Sequence, residues 1–186
     1  MNLEQSTVKQ DPALRTLITA AEIEARVAAL GRQINDDYKA TETLHLVGML
    51  RGACFFFADL ARSIARDTSM DFMRVRSYGD GTESSGEILV TKDLEEDIGG
   101  LDVLIVEDIV DSGRTASCLN TLLGRRNPRS LRIATLLDKP SRRITPVELA
   151  YVGFEIPDQF VVGYGLDFAE RYRSLPDICV LETVGG

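Results

Sequence analysis

The sequence feature that most restricts the fold is an apolar run at 103–106 that ends in acidic residues and precedes a helix-forming segment. An apolar run bounded by turn residues is typical of a strand buried on both faces. Ser112 and Gly113 then open a helix at about 114–125, whose first backbone N–H groups have no partner within the helix. The sequence therefore predicts a buried strand, a tight turn and a helix in succession.

The same alternation of strand and helix extends along much of the chain. We expect strands at 44–50, 70–78, 88–91, 103–106 and 131–137, and helices at 19–38, 55–66 and 114–125. The first helix begins at a capping box, Thr19 with Glu22. Strands that alternate with helices pair mainly in parallel, so the pattern predicts an α/β fold, a mainly parallel sheet flanked by helices. Ligands on such sheets bind at the carboxyl ends of the strands, where Arg51, Glu107 and Asp111 fall.

The region after Asp138 has a different pattern. Prolines interrupt it, and the strand-like segments 147–152 and 160–164 are not separated by helices. This pattern predicts a small C-terminal cap, or hood, over the ligand edge of the sheet. We expect a single domain, 1–186, with a core at about 40–138 and a hood at about 139–186 that includes the N-terminal arm.

The turn after the 103–106 strand has the composition of a phosphate site. Gly113 permits close approach of a ligand, and the hydroxyl groups of Ser112 and Thr115 add to the free N–H groups of the helix start. Glu107 and Asp108 would repel a phosphate unless a metal ion or sugar hydroxyl groups lay between them. The combination predicts a phosphorylated sugar bound together with magnesium.

Composition argues against several other classes of protein. The chain has no apolar run of about eighteen residues, and its first ten residues lack the pattern of a signal peptide. A formal net charge of −8 argues against a nucleic-acid or membrane partner. The cysteines are few and widely spaced, so neither a disulfide framework nor a zinc site is expected. We expect a cytoplasmic protein.

The string EDIVDSGRT, residues 107–115, closely resembles the 5-phosphoribosyl diphosphate (PRPP) signature of type I phosphoribosyltransferases. Its paired Glu107 and Asp108 are similar to the hypoxanthine–guanine branch, and the similarity extends over about 40–183. The resemblance implies transfer of the phosphoribosyl group from PRPP to N9 of a 6-oxopurine, hypoxanthine and/or guanine. The products would be a nucleoside monophosphate, IMP or GMP, and pyrophosphate. The resemblance also implies Mg²⁺ as cofactor, a role in purine salvage, and a homodimer or homotetramer.

The resemblance assigns roles to individual residues. Asp111 would handle the proton at purine N7 and is the candidate catalytic residue. PRPP and its phosphates would be bound by Arg51, Gly52, Glu107, Asp108, Asp111, Ser112, Gly113, Arg114, Thr115 and Arg173. The purine would be bound by Lys139, Phe160, Val161 and Asp167. Magnesium would be held by Asp167, with Glu107 and Asp108. Ser77 and Tyr78 would begin a mobile catalytic loop.

Two further features complete the interpretation. Arg51 stands where the family usually has lysine, in a loop that acts partly through its backbone. Residues 77–87 are rich in glycine, serine and acidic residues, which predicts a lid that excludes water from the reacting ribose. The arginine pairs 125–126 and 142–143 match no motif, and we interpret them as surface charge.

Alternatives stay open at this point. A PRPP-binding regulatory protein of the same fold, such as an RNA-binding attenuation protein, needs a basic face, which the net charge opposes unless charge is segregated. A phosphoribosyltransferase for adenine, orotate or uracil is disfavoured by Lys139 and by the pair Phe160 and Val161. Hypoxanthine, guanine and xanthine differ at C2, where backbone contacts are expected, so the sequence leaves the choice among them open.

Overall fold

The computed structural model describes residues 13–77 and 88–182. Its strands are β1 (Ala13–Ile18), β2 (Thr43–Met49), β3 (Asp67–Ser77), β4 (Ile88–Lys92), β5 (Asp102–Val110), β6 (Ser130–Asp138), β7 (Tyr151–Glu155), β8 (Val161–Val162) and β9 (Ile178–Glu182). Its helices are α1 (Ala20–Asp37), α2 (Cys54–Ser63) and α3 (Arg114–Gly124). Tyr78 and most of the expected lid lie outside the described residues.

The main sheet has six strands in the order β4-β3-β2-β5-β6-β7. All neighbouring pairs are parallel except β3 and β4, which are antiparallel at one edge. The predicted α/β fold, a mainly parallel sheet flanked by helices, is confirmed.

Central strand β5 is buried on both faces, as its apolar run predicts. Leu104 and Val106 belong to the core that includes α1 and α2, whereas Val103 and Ile105 belong to the core that includes α3. All four side chains are fully buried. Because successive side chains of a strand point to opposite faces, a continuous apolar run requires cover on both sides.

Helix α1 begins where its capping box predicts. The Thr19 side chain accepts a hydrogen bond from the backbone N–H of Glu22, and the Glu22 carboxylate accepts one from the backbone N–H of Thr19. Ile23, Val27 and Ile34 then bury one face of the helix. This face covers the side of the sheet that carries Leu104 and Val106.

Strand β5 is longer than the apolar run indicates. It continues through Glu107 and Asp108 to Val110, rather than ending at 106. Its partner β6 also continues, so that Glu107 pairs with Thr135 and Val110 with Asp138. The ladder of backbone hydrogen bonds extends the strand beyond its apolar portion, and the acidic pair therefore lies on regular strand backbone.

The chain after Asp138 divides between two sheets. Strand β7 pairs in parallel with β6 and forms an edge of the main sheet. The expectation that the region after Asp138 forms the hood is therefore wrong for β7, which belongs to the main sheet. The prolines prevent a regular helix before β7 but leave the edge of β6 open to pairing.

The hood is a second, three-stranded antiparallel sheet in the order β1-β9-β8. The N-terminal strand β1 therefore joins C-terminal strands, with Leu14 opposite Leu181. Val161, Ile178 and Val180 of the hood are buried in the same core as α1 and α2. This packing positions the hood over one side of the carboxyl edge of the main sheet.

In the two stretches that the structure describes, no helix is both long enough and apolar enough to cross a membrane.

Candidate active site

A cleft of about 340 Å³ opens at the carboxyl edge of the main sheet. It lies where the ends of β2 and β5 and the start of α3 meet the hood. The PRPP-binding residues predicted from the sequence line it, with the exception of Arg114 at the start of α3. They are Arg51, Gly52, Glu107, Asp108, Asp111, Ser112, Gly113, Thr115 and Arg173. Asp167, which was predicted to bind the purine and magnesium, also lines the cleft.

Two adjacent carboxyl groups form the floor of the cleft. Burial, followed by the charge of Asp108, raises the pKa of Glu107 well above its usual range, and only 7% of Glu107 is exposed. Burial raises the pKa of Asp108 to about 6, although the backbone N–H of Ile109 and the charge of Arg173 oppose that rise. Two neighbouring carboxylates, one buried and one partly buried, resist ionisation because each is desolvated and repels the other. The pair therefore favours cations and hydroxyl donors as ligands.

The loop after β2 lies directly against this acidic pair. The Leu50–Arg51 peptide is cis. A methyl group on Gly52 would overlap the Asp108 carboxylate, and a methyl group on Gly165 would overlap the Gly52 carbonyl oxygen. Only residues without a side chain allow these close approaches, so the loop, the acidic pair and the hood are in direct contact at Gly52.

The hood contributes positive charge to the cleft. Arg173 Nη2 lies 2.8 Å from Asp167 Oδ1, and Arg173 Nη1 donates to the Gly165 carbonyl oxygen at 2.8 Å. Arg51 Nη1 lies 2.8 Å from Glu170 Oε2, and Arg173 reaches the same Glu170 oxygen at 3.3 Å. Glu170 thus holds the two arginines near each other.

One hydrogen-bond donor of Arg173 is not paired within the part of the chain that the structure describes. Its Nε is buried and has no hydrogen-bond partner among the residues described. A buried donor without a partner is costly, so such a group favours an anionic ligand at this position.

The phosphate loop, defined here as residues 111–113, joins β5 to α3. Gly113 has a φ of 81°, a conformation that glycine adopts without strain. Ser112, Gly113 and Thr115 all line the cleft. The start of α3 therefore presents its first turn to the cleft, where the helix dipole and free N–H groups favour an anion.

Asp111 lies beside two arginines that the sequence interpretation left as surface charge. Arg142 Nε donates to Asp111 Oδ1 at 2.7 Å, and Arg142 Nη1 lies 3.1 Å from Asp158 Oδ2. Arg143 donates to the Asp111 carbonyl oxygen at 2.9 Å and also bonds to the Asp138 carboxylate.

The surface interpretation is wrong for Arg143, whose side chain is 19% exposed. The signal that could have identified both arginines is their position just after Lys139, beyond the carboxyl end of a buried strand.

Apart from Asp167, the predicted purine residues are not part of this cleft lining. Lys139 follows β6 and is buried; its backbone N–H donates to the Val110 carbonyl oxygen at 3.0 Å, and its Nζ lies 3.8 Å from Asp158. Val161 is buried in β8. Phe160 is 54% exposed and meets Phe168 edge-on, with ring centroids 5.7 Å apart.

Phe168 was not singled out from the sequence. It directly follows Asp167, one of the predicted site residues, and that position is the signal that could have found it. Ser77 ends β3, and its partner in the predicted mobile loop, Tyr78, lies outside the described residues.

The acidic groups do not form a complete metal cage. Within 13–77 and 88–182, no group of three or more His, Cys, Asp or Glu side chains could hold a metal ion. The donor set around Asp108 and Asp167 fits a cation that takes its other ligands from a bound phosphate and water, as Mg²⁺ commonly does.

Residues 16–169 match the phosphoribosyl transferase domain family, and the chain belongs to that family. The chain is 54% identical to hypoxanthine phosphoribosyltransferase of Salmonella typhimurium over 88% of this chain and 92% of the relative. It is 55% identical to hypoxanthine-guanine phosphoribosyltransferase of Mycobacterium tuberculosis over 89% of this chain and 85% of the relative. Among solved structures, a hypoxanthine phosphoribosyltransferase from Staphylococcus aureus superimposes with a TM-score of 0.87, 45% identity and 97% coverage of each chain.

Proposed function

We propose that this protein transfers the 5-phosphoribosyl group of PRPP to N9 of hypoxanthine or guanine, forming IMP or GMP and pyrophosphate in purine salvage. One observation carries the proposal: an acidic pair, a helix start and two arginines converge on a single cleft. This set matches the three chemical parts of PRPP, which are a ribose diol, a 5′-phosphate and a pyrophosphate.

Each part of PRPP is assigned to a different wall of the cleft. The 5′-phosphate binds at the phosphate loop, where the Ser112 and Thr115 hydroxyl groups supplement the N–H groups of the helix start. The ribose hydroxyl groups donate to Glu107 and Asp108. The pyrophosphate lies between the Arg51–Gly52 backbone and Arg173, whose buried Nε supports an anion at that position.

The acidic pair also supports binding of a metal ion. Mg²⁺ would be held by Asp167, with Glu107 and Asp108 nearby, and would complete its coordination with substrate oxygens and water. When bound, it supplies positive charge that offsets the charge of the pyrophosphate leaving group. The raised pKa values of Glu107 and Asp108 support this assignment, because a cation beside them lowers the free energy of their ionised forms.

Apart from one proton transfer, the reaction forms one bond and breaks one. The purine N9 lone pair forms a bond to C1′ of ribose, while the bond from C1′ to the pyrophosphate oxygen breaks and its electron pair leaves with pyrophosphate. Positive charge grows on the ribose ring as that bond loosens. Arg51 and Arg173 stabilise the negative charge that develops on the leaving group. As N9 bonds to C1′, the purine N7–H bond breaks and Asp111 accepts that proton.

Base recognition is assigned to Lys139, Phe160 and Val161. The Lys139 ammonium donates to the 6-oxo group, the exposed Phe160 ring stacks on the purine, and the Val161 backbone contacts its edge. The exposure of Phe160 supports this role, because an aromatic ring that only packed a core would be covered.

We also propose a cytoplasmic location and assembly as a homodimer or homotetramer. No disulfide joins the three cysteines, all of which lie in the described ranges, and this fits a reducing compartment.

The proposed function is tested by pyrophosphate release. The protein, PRPP and Mg²⁺ are incubated with hypoxanthine, guanine, xanthine and adenine in separate reactions. Rapid release with hypoxanthine or guanine, and formation of the matching nucleoside monophosphate, is the expected result. Absence of release with every 6-oxopurine would overturn the proposal. Asp108→Asn serves as the matched control, since it keeps the side-chain shape but removes a ribose-binding charge.

A further inference from the structure

The carbonyl groups of the phosphate loop are all bonded to protein. The Asp111 carbonyl oxygen accepts from Arg143 Nη1 at 2.9 Å. The Ser112 carbonyl oxygen accepts from the backbone N–H groups of Ile144 and Thr145, at 2.9 and 3.0 Å. The Gly113 carbonyl oxygen accepts from Ser117 within α3, at 2.9 Å. The segment 143–145 therefore holds two consecutive peptide groups of the loop.

These hydrogen bonds determine the direction in which the backbone N–H groups of the loop point. Of the peptide bonds in the described ranges, only Leu50–Arg51 is cis, so those of the loop are trans. In a trans peptide, the C=O and N–H groups point in opposite directions. Since the carbonyl groups of Asp111 and Ser112 point at 143–145, the N–H groups of Ser112 and Gly113 point away from it. That direction faces the cleft, which both residues line.

The phosphate loop and the segment 143–145 are closely packed against each other. A methyl group on Gly113 would overlap the Thr145 carbonyl oxygen and lie against the Arg143 side chain. The two stretches of backbone therefore meet at closest approach. A shift of the segment would be transmitted to the loop, because close-packed groups cannot move independently.

Arg143 is itself held by a buried acid at the end of β6. Its second terminal nitrogen bonds to the Asp138 carboxylate, and Asp138 is only 8% exposed. Asp138 pairs with Val110 in the sheet, directly before the loop begins. The planar guanidinium thus spans from the sheet to the Asp111 carbonyl, a fork that lysine, with a single ammonium group, cannot reproduce.

We infer that Arg143 is a positioning residue that, together with the backbone of 144–145, orients the phosphate loop for the 5′-phosphate. The inference rests on the proposed function, because it assumes that the loop binds a 5′-phosphate. Arg143 is not among the residues that line the cleft. It acts by holding the Asp111 peptide group, and it connects the phosphate loop to the segment that begins at Lys139.

The test compares ligands with and without the 5′-phosphate. Calorimetry measures binding of GMP and of guanosine to the wild type and to Arg143→Gln, Arg143→Lys and Arg142→Gln. Both Arg143 variants are expected to bind GMP roughly tenfold more weakly, as for one misdirected hydrogen bond to a charged group, with guanosine binding unchanged. The KM for PRPP should rise by a similar factor, while the KM for the base stays constant.

Arg142→Gln is the matched control. Arg142 is adjacent and also contacts Asp111, but through the side chain and not through the loop backbone. This variant is expected to keep the wild-type preference for GMP over guanosine. Arg143→Lys keeps a positive charge beside Asp138, so it tests the inference even where Arg143→Gln does not fold.

The outcomes distinguish a failure of the proposed function from a failure of the role proposed for Arg143. If the wild type shows no preference for GMP over guanosine and no turnover of PRPP, the proposed function is wrong. If the wild type shows both and the folded Arg143 variants retain the full preference, the role of Arg143 is wrong. A fall in GMP affinity matched by an equal fall in guanosine affinity also contradicts it, because that pattern indicates a general structural defect.

Discussion

Gly52 and Asp108 lie in such close contact that a single methyl group on the glycine would overlap the carboxylate. Gly52 belongs to the loop after β2, and Asp108 belongs to β5. The contact brings the proposed pyrophosphate site against the proposed ribose site. PRPP carries its pyrophosphate on C1′, and the neighbouring carbon bears the 2′-hydroxyl group. The two sites therefore need to lie close together.

Gly52→Ala should displace the Asp108 carboxylate and lower kcat/KM for PRPP by at least ~10²-fold, the scale of loss for a misplacement of about 1 Å at a reacting centre. Steady-state kinetics checks this. Gly124→Ala at the end of α3 is the control, because a methyl group there meets no atom within 4 Å. Its activity should equal that of the wild type, and equal activity of Gly52→Ala would show that the contact is unimportant.

Asp108→Asn should stabilise the ligand-free protein at neutral pH. The folded protein raises the pKa of Asp108 to about 6, above the ordinary value near 4, so the folded state binds more protons between these values. The free energy of unfolding therefore falls as pH rises through this window. An asparagine at this position cannot ionise, so the variant does not show this decrease with pH. Its free energy of unfolding should exceed that of the wild type by roughly 1–3 kcal/mol at pH 7, with little difference at pH 4. Denaturant unfolding at several pH values, without ligand, measures it.

Asp102→Asn should change the stability of the protein in the opposite direction. Hydrogen bonds from Arg129, Ser130 and Thr41 hold the pKa of Asp102 well below its usual range. Its contribution to stability is present above the unfolded pKa near 4 and is lost as pH falls below it. Asp102→Asn should therefore destabilise the protein at pH 7, by roughly 1–2 kcal/mol, and less so in acid. The same sign for both variants would contradict the assignment of the two carboxyl groups.

Asp111→Asn should reduce kcat by ~10²–10⁴-fold, the usual contribution of a general acid or base. PRPP affinity should change little, because the loop backbone and not the Asp111 carboxylate binds the phosphate. Single-turnover kinetics with a PRPP titration separates the two effects. Equal losses in kcat and PRPP affinity, or near-normal turnover, would remove Asp111 from its proposed role.

Adenine should be used at least ~10⁴-fold less efficiently than hypoxanthine, the scale set by one unmatched polar pairing in a buried site. The Lys139 ammonium has donors but no acceptor, and the 6-amino group of adenine is also a donor. The ratio of kcat/KM for the two bases measures this preference. Similar values for adenine and hypoxanthine would exclude the proposed role of Lys139.

The sequence predicted the acidic pair and the phosphate loop because Glu107 to Thr115 form one contiguous string after an apolar strand. It did not reveal Arg143, because the partner of that side chain is the backbone carbonyl group of Asp111. Every residue has such a group, so the residue types do not indicate this contact. Strand β7 was assigned to the hood because no helix precedes it. The length of β5 was underestimated because ladder hydrogen bonds, which the apolar pattern does not record, carry it past Glu107.

The hood has a consequence for the order in which this protein folds. Its strand β1, near the beginning of the chain, pairs with β9, near the end, so that Ala13 faces Glu182. Closing so long a loop is entropically unfavourable and slow compared with pairing of β2, β3 and β5, which are closer in sequence. We therefore expect β2, β3 and β5, and the phosphate loop that follows β5, to form before β1 pairs with β9. Asp167 and Arg173 lie between β8 and β9, so the wall that carries them should form after the anion-binding loop, and a folding chain should be able to bind an anion before it can enclose a substrate.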